Sequence, residues 1–425
     1  MNIKLAYGAE QLPIDVPDNW INGRCYRPRP LTACADQRAE LMAALQSLPE
    51  EMHLRNLAAD KATCTIAVDG ENPVVMEELL PALVDIIEDE TEINSGNLTI
   101  LIGNRILQPL RKSDLATLLS EELQRHYRVI LHDPWDSKMV RSAGLSPTRK
   151  IPLQLNRHYL DADFKVILGG VRPDVLYGFT GGRCVVMPGL AGRETLKALY
   201  DFDQVSNRNA RFGNFRDNPF HITAIEATNA VGCDLAISAA LTPQAQVARL
   251  FVGHFGQSHI QAMNALRESM VVKVKEPMDI VVTSGGGAPY DNNLLNVLAT
   301  ICSVEPVLKP DGTIVIAAQM KEGYGPAGFA DLIKNHRNIS ETMEWLQRED
   351  RFIPGQWIAQ RFYQILQDHE VILYNKEIAE DDIWAAGMTP TRDMNEAILG
   401  AMESHGQRCK IVALPDGPMG IGEVG

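Results

Sequence analysis

Gly178-Phe179-Thr180-Gly181-Gly182-Arg183-Cys184-Val185-Val186-Met187-Pro188-Gly189 is the stretch on which the reading of this chain turns. It follows an apolar run, Phe164-Lys165-Val166-Ile167-Leu168, that reads as a strand. The turn between them carries Gly169-Gly170 and Arg172-Pro173-Asp174. Glycines at such a point permit positive φ and close approach of the backbone to a ligand. Successive N–H groups in such a turn form an anion-binding nest. Arg183 adds a permanent charge whose fork fits phosphate or carboxylate. A second turn of this kind, Ser284-Gly285-Gly286-Gly287-Ala288-Pro289-Tyr290-Asp291-Asn292-Asn293, follows the strand-like run Met278-Asp279-Ile280-Val281-Val282. Two strand-to-glycine turns far apart in sequence predict two lobes that meet over one small anionic ligand.

Outward from these turns the chain alternates strand and helix. A hairpin is expected at Ile3–Tyr7 and Leu12–Val16, then an amphipathic helix over 35–48. Strand 63–68 leads to Pro73, which opens helix 74–88 at a favoured first-turn position. Strand 98–102 ends in Gly103-Asn104-Arg105, helix 113–126 takes Ser113 as its N-cap, and strand 129–132 follows. Helix 217–231, strand 233–239 and helix 256–270 close the first half. The charged run Lys273-Val274-Lys275-Glu276-Pro277 reads as a linker, with a hinge near 271–277. The alternation then restarts with strand 278–283, helix 291–304 and strand 312–318. It ends with helix 393–403 and strand 409–414. This order predicts an α/β protein of two domains, 1–270 and 278–425, each with a mainly parallel, Rossmann-like sheet and with the active-site cleft between them. Ligands of such sheets lie beyond the carboxyl ends of the strands, where Asp69, Gly103, Asp174 and Ser284 fall.

Composition narrows the function. The chain has 425 residues, 45% of them apolar and 22% charged, enough for more than one core. A net charge of −14 without a basic stripe excludes a nucleic-acid surface. No segment reaches the ~20 apolar residues of a membrane span. The seven cysteines are scattered and contain no C-x-x-C pair, which argues for a reducing, cytoplasmic protein without a disulfide framework or zinc knuckle. Neither glycine-rich turn reads G-x-G-x-x-G ahead of a helix with a suitably spaced acidic residue, so no NAD is expected.

Taken together, Gly178-Phe179-Thr180-Gly181-Gly182-Arg183 and Pro188-Gly189 resemble the central motif of the nickel-pincer-nucleotide-dependent lactate racemases. Asp69 followed by Pro73 is similar to that family's D-x-x-R-P turn, and Asn218-Pro219-Phe220-His221 to its N-P-x-H stretch. Gly286 to Asn293 resembles G-G-x-P-x-D-x-N, Ile353-Pro354-Gly355-Gln356-Trp357 resembles I-P-x-Q-W, and Pro415-Asp416-Gly417 also fits. The resemblance covers nearly the whole chain. It implies a two-domain α/β enzyme with its substrate between the domains. It also implies a nickel-pincer nucleotide held by Asp69, Asn72, Gly181, Gly182, Arg183, Cys184, Gly286, Gly287 and Asn292. At the reacting positions this sequence departs from the family. Cys184 stands where the resemblance implies a lysine bonded to the cofactor, Tyr200 where it implies a nickel-ligating histidine, and Asp174 where it implies a catalytic histidine. The turn from Gly103 to Pro109 holds no histidine, Asn72 replaces an arginine, and the lysine of the second-domain helix becomes apolar or small near Leu298-Ala299.

Each nominated residue has a plainer reading. Cys184 is either a thiolate activated by Arg183 and the glycine turn, able to ligate nickel or join a thioacyl arm, or an inert buried thiol. Asp174 is either a general base or the cap of the next turn. Tyr200 suits packing better than metal ligation, because phenol is a hard ligand with a pKa near ~10. Trp357 belongs either to the site or to the core, and Asp69 holds either a ribose or an Asx-turn. His221, His254 and His259 have no helical spacing for a shared metal.

These readings combine into a catalytic set of Asp174, Tyr200 and Trp357. The expected enzyme is a racemase or epimerase of a small anionic 2-hydroxy acid other than lactate, working by hydride transfer to the pincer cofactor. The alternative kept open is a non-catalytic or cofactor-handling homologue that binds a nucleotide or phosphate without metal.

Overall fold

The structure is a computed structural model that describes residues 2–15, 24–103, 106–335, 338–348, 352–406 and 408–425. Asn104 and Arg105 of the expected turn lie outside the described residues. The chain forms two compact units that do not follow its order. One comprises residues 30–210 and 214–268; the other comprises 1–29, 211–213 and 269–425. The expected division at 1–270 and 278–425 assigns the first 29 residues to the N-terminal half, whereas they pack with the C-terminal sheet.

In the first unit six strands lie in the order Val247–Gly253, Leu235–Leu241, Phe164–Val171, Cys64–Asp69, Leu98–Gly103 and Arg128–Leu131. All neighbours are parallel except the edge pair Leu235–Leu241 and Val247–Gly253. Cys64–Asp69 and Leu235–Leu241 are buried along their whole length, as parallel strands covered on both faces should be. Helix Leu80–Glu90 turns Leu80, Leu83, Val84 and Ile87 onto this sheet, where they join Ile66, Val68, Ile100 and Val166 in one core.

The second unit carries a fully parallel sheet ordered Thr389–Thr391, Glu370–Tyr374, Leu308–Ala317, Met278–Ser284, Ile411–Leu414 and Arg24–Cys25. The hairpin Asn2–Tyr7 and Glu10–Asp15 is present, with Leu5 opposite Leu12. Its apolar face, Ile3, Leu5 and Ile14, is buried with Ile280, Val282 and Val315. The hairpin turn lands on the strand ends. Ser284 Oγ donates to Ala6 O at 2.6 Å, Ala288 N to Gly8 O at 2.9 Å, and Lys376 N to the Tyr7 hydroxyl at 2.9 Å. The buried Asp291 Oδ2 accepts from Gly8 N at 2.7 Å and from Gln319 N at 3.1 Å.

Several local expectations differ from the structure for identifiable reasons. The expected linker begins as a strand, Val271–Val274, paired in parallel with Ile421–Val424. Helix 74–88 is two pieces, a wide turn Val75–Leu79 and then Leu80–Glu90. Pro81 in the first turn of the second piece has no N–H to give and its ring crowds the carbonyl four residues back, which opens the turn ahead of it. Helix 113–126 breaks into Lys112–Leu118 and Glu121–His126. Ser120, not Ser113, is the hydroxyl that caps, accepting from Leu123 N at 3.2 Å. The hairpin Val140–Leu145 and Pro152–Asn156 and the edge strand Val247–Gly253 were not among the expected elements.

Asp291→Ala removes the acceptor of two buried N–H groups, so it should cost about 3 kcal/mol of stability. Urea unfolding measures this. Hydrogen exchange of residues 2–15 should quicken in the same variant, and unchanged exchange there would show that the hairpin is held without Asp291.

Candidate functional site

The central turn is built by backbone meeting backbone. Strand Phe164–Val171 runs through Gly169 and Gly170, and the chain returns through Gly178–Phe179, paired antiparallel with Pro173–Asp174. Gly181, at φ 74°, then starts a single tight turn, Gly182–Val185. A Cβ on Gly169 would stand 2.8 Å from Gly182 N, and one on Gly181 would stand 2.5 Å from Gly170 O. A Cβ on Gly182 would strike the His259 ring at 2.4 Å. These glycines therefore let the chain approach itself, where the sequence suggests approach to a ligand.

Arg183 and Cys184 both point inward. Arg183 is 1% exposed, and its Nη2 donates to His221 Nε2 at 2.8 Å. Arginine only donates, so that imidazole nitrogen is bare and His221 carries its proton on Nδ1. His259 Nε2 lies 2.9 Å from Thr180 O and donates to it, and the two imidazole rings sit 5.4 Å apart. Burial and the Arg183 charge hold both histidines well below their usual range, hence neutral. Among the described residues Arg183 Nε, His221 Nδ1 and His259 Nδ1 find no hydrogen-bond partner. Burial pushes the guanidinium down to about 10, so this charge is costly and is spent on an imidazole instead of a phosphate. The expected thiolate at Cys184 is reversed. Its Sγ donates to Phe179 O at 3.6 Å, and burial pushes the thiol far up, with Arg183 opposing it by less.

Tyr177 and Tyr200 pack on Phe220, with ring centroids 5.2 and 5.7 Å away. Burial drives both phenols up, so Tyr200 is a neutral packing and hydrogen-bonding residue here.

Asp69 ends strand Cys64–Asp69 and closes the expected Asx-turn: Oδ1 accepts from Glu71 N at 2.8 Å. Its Oδ2 accepts from Asn72 Nδ2 at 2.5 Å and Gly170 N at 3.2 Å. Asn72 is buried in this lock. Asp174 Oδ1 accepts from Leu176 N at 2.8 Å and Tyr177 N at 2.7 Å, the capping role, while Oδ2 has no partner among the described residues. Burial raises the carboxyls of Asp69 and Asp174; Glu71's charge adds to the shift, and the N–H donors oppose it. Arg172 faces Glu71 at 3.0 Å with its side chain half exposed. Sequence reasoning placed Arg172 in this turn without nominating it, and Glu71 and Tyr177 carried no motif signal. The first unit thus assembles Asp69, Asn72, Asp174, Tyr200 and the Gly181–Cys184 turn around Arg172. Its charged groups that keep surface are the Arg172–Glu71 pair and the half-buried Asp174 carboxylate.

In the second unit Gly286 and Gly287, at φ 95° and 71°, also accommodate the chain. A Cβ on Gly287 would meet Gly8 O at 2.9 Å, and one on Gly286 would meet Pro418 Cδ at 3.0 Å. Asn292 Nδ2 donates to Glu322 Oε1 at 3.1 Å. Trp357 is buried and stacks on Phe352, centroids 5.5 Å apart and 9° from parallel, so its core reading is what the structure shows. Gln356 Oε1 caps back onto Ile353 N at 2.8 Å. Among the described residues no three His, Cys, Asp or Glu side chains converge on a metal position. No described helix is long and apolar enough to cross a membrane.

Comparison with known proteins follows this geometry. Residues 7–213 match the model of the lactate racemase N-terminal domain, and 273–421 that of the lactate racemase C-terminal domain. The chain is 28% identical over 421 residues to the lactate racemase of Thermoanaerobacterium thermosaccharolyticum, covering 98% of each. It is 25% identical over 370 residues to that of Lactiplantibacillus plantarum, covering 86% of each. The lactate racemase apoprotein structure from T. thermosaccharolyticum superposes with a TM-score of 0.90 at 27% identity, covering 99% of this chain and all of that one. A Thermotoga maritima protein shares the fold at 14% identity, with a TM-score of 0.61 over 88% of this chain and 96% of that one.

A buried neutral thiol is unreactive. Iodoacetamide at mildly alkaline pH should leave the Cys184 peptide unlabelled in the native protein and label it fully in denaturant. Rapid native labelling would restore the thiolate.

Proposed function

The chain belongs to the lactate racemase family, and from that premise we propose that it is a racemase or epimerase of a small 2-hydroxy acid other than lactate. Family membership across both halves of the chain supports an isomerase. The observation that carries the substrate claim is Asp174. It places a carboxylate where the family resemblance implies a histidine, and its Oδ1 is held by two backbone N–H groups while no described residue hydrogen-bonds Oδ2. Asp174 Oδ2 would take the proton of the substrate hydroxyl while a reversibly bound hydride acceptor took the hydride of the carbinol carbon and returned it to either face, and Arg172, two residues earlier, offers the charge that attracts the substrate carboxylate.

The family's nickel-pincer nucleotide does not fit the residues at positions 184 and 200. A thiol that burial keeps protonated is neither an acyl acceptor nor a soft ligand, because metals bind the thiolate. A neutral, buried phenol packed on Phe220 is no better. No step of the reaction runs through a group anchored at those two side chains.

Chiral analysis of a panel of 2-hydroxy acids tests the reading. With both histidine bases absent, lactate should turn over about 100-fold or more slower than the preferred acid. Fast racemisation of lactate would refute the substrate claim, and inertness toward the whole panel would refute the enzyme.

Asp174→Asn keeps the turn, since the amide oxygen accepts the same two N–H bonds, but removes the base. Activity should fall at least ~100-fold. The pH dependence has a definite sign. Asp174's folded-state pKa is raised above the unfolded value of about 3.9, so the folded state holds the proton more tightly. The stability tied to that proton is present in acid and is lost as pH rises through the raised pKa. The thermal midpoint of Asp174→Asn relative to the wild type should therefore improve with rising pH, and the acid limb of activity should lie above the ordinary carboxylate range.

A further inference from the structure

We propose that this chain holds its small-molecule ligand reversibly, with neither a covalent link nor a nickel bond at Cys184 or Tyr200, because both side chains are sealed into the interior of the first unit. The two positions are closed by different means. Cys184 is 8% exposed and spends its proton on Phe179 O, inside the turn that the facing glycine pairs draw shut. Opening that turn toward a ligand would part the backbone contact between Gly169-Gly170 and Gly181-Gly182. Tyr200 is buried with its ring packed on Phe220 at a centroid distance of 5.7 Å, so metal ligation would break the aromatic cluster. The neighbouring charge offers no substitute, because Arg183 is turned away onto His221. The charged groups here that keep surface are the half-buried Asp174 and the Arg172–Glu71 pair, groups that bind by ionic and hydrogen-bonded contact and release by dilution. The proposal concerns how the ligand is held and stands whichever acid is the substrate.

The experiment uses full-length protein made in cells that also produce the nickel-pincer nucleotide, with the free cofactor identified by mass spectrometry in the same lysate. Denaturing intact-mass analysis should return the mass of the unmodified chain. Nickel after gel filtration should lie below about one-tenth equivalent per chain, a level at which a tightly held metal would remain near one. Cys184→Ala and Tyr200→Phe should match the wild type in both readouts. An adduct on the Cys184 peptide, or stoichiometric nickel that falls in either variant, would overturn the proposal. Racemase activity is measured separately on the same preparations. Loss of the hydroxy-acid reading with unchanged mass and metal therefore leaves this inference standing, and an adduct on an active enzyme refutes this inference alone.

Discussion

The close approach of two glycine pairs, 169–170 and 181–182, is the constraint on which the first unit's site depends. No side chain fits between strand Phe164–Val171 and the returning turn, where added Cβ atoms would lie 2.5–2.8 Å from backbone atoms. Once that contact is made, the positions of Arg183 and Cys184 follow, since a tight turn pressed onto a strand end throws its side chains into the interior. Asp69 and Asn72 lock onto Gly170 from the neighbouring strand, and His259 braces Thr180 from the opposite side. Among the described residues, Glu71, Arg172 and Asp174 beside the turn keep polar side chains that are not fully buried.

Much of the fold was legible because a parallel sheet covered on both faces writes its strands as short continuous apolar runs. Cys64–Asp69, Phe164–Val171, Met278–Ser284 and Ile411–Leu414 all carried that signal. What failed was of a different kind. The hairpin at the N-terminus was readable, but not its partner, because the hydrogen bond from Gly8 to Asp291 joins residues 283 positions apart. The edge strand Val247–Gly253 has exposed positions that break its apolar run. Pro81's effect depends on a helix register that composition does not set.

The site was less legible than the fold, and Cys184 shows why. Arg183's charge is visible in the sequence and argues for a thiolate, but the desolvation that outweighs it depends on which way the turn faces. The same ambiguity affects Gly286 and Gly287. Glycine marks a crowded place in the chain without saying whether a ligand or the protein itself does the crowding. In both units the protein does. For Trp357 and Asp69 the plainer of two readings matches the contacts observed, and for Asp174 the two coexist on separate oxygens of one carboxylate.

The assignment of residues 1–29 to the unit completed by 269–425 has a consequence for biosynthesis. On the ribosome the hairpin is made before residues 30–268, yet the sheet and the Asp291 carboxylate that receive it are made after them. The unit of residues 30–210 and 214–268 is thus an insertion within its neighbour and has its whole sheet in hand while the neighbour still lacks nearly all of its own. Contacts of such long sequence separation form slowly, and a hairpin waiting for its acceptor exposes Ile3, Leu5 and Ile14 in the meantime. The nascent chain is therefore vulnerable to aggregation at this hairpin until residues 278–414 have been made, and a chaperone that shields it over that interval would act on the slowest contact of the fold.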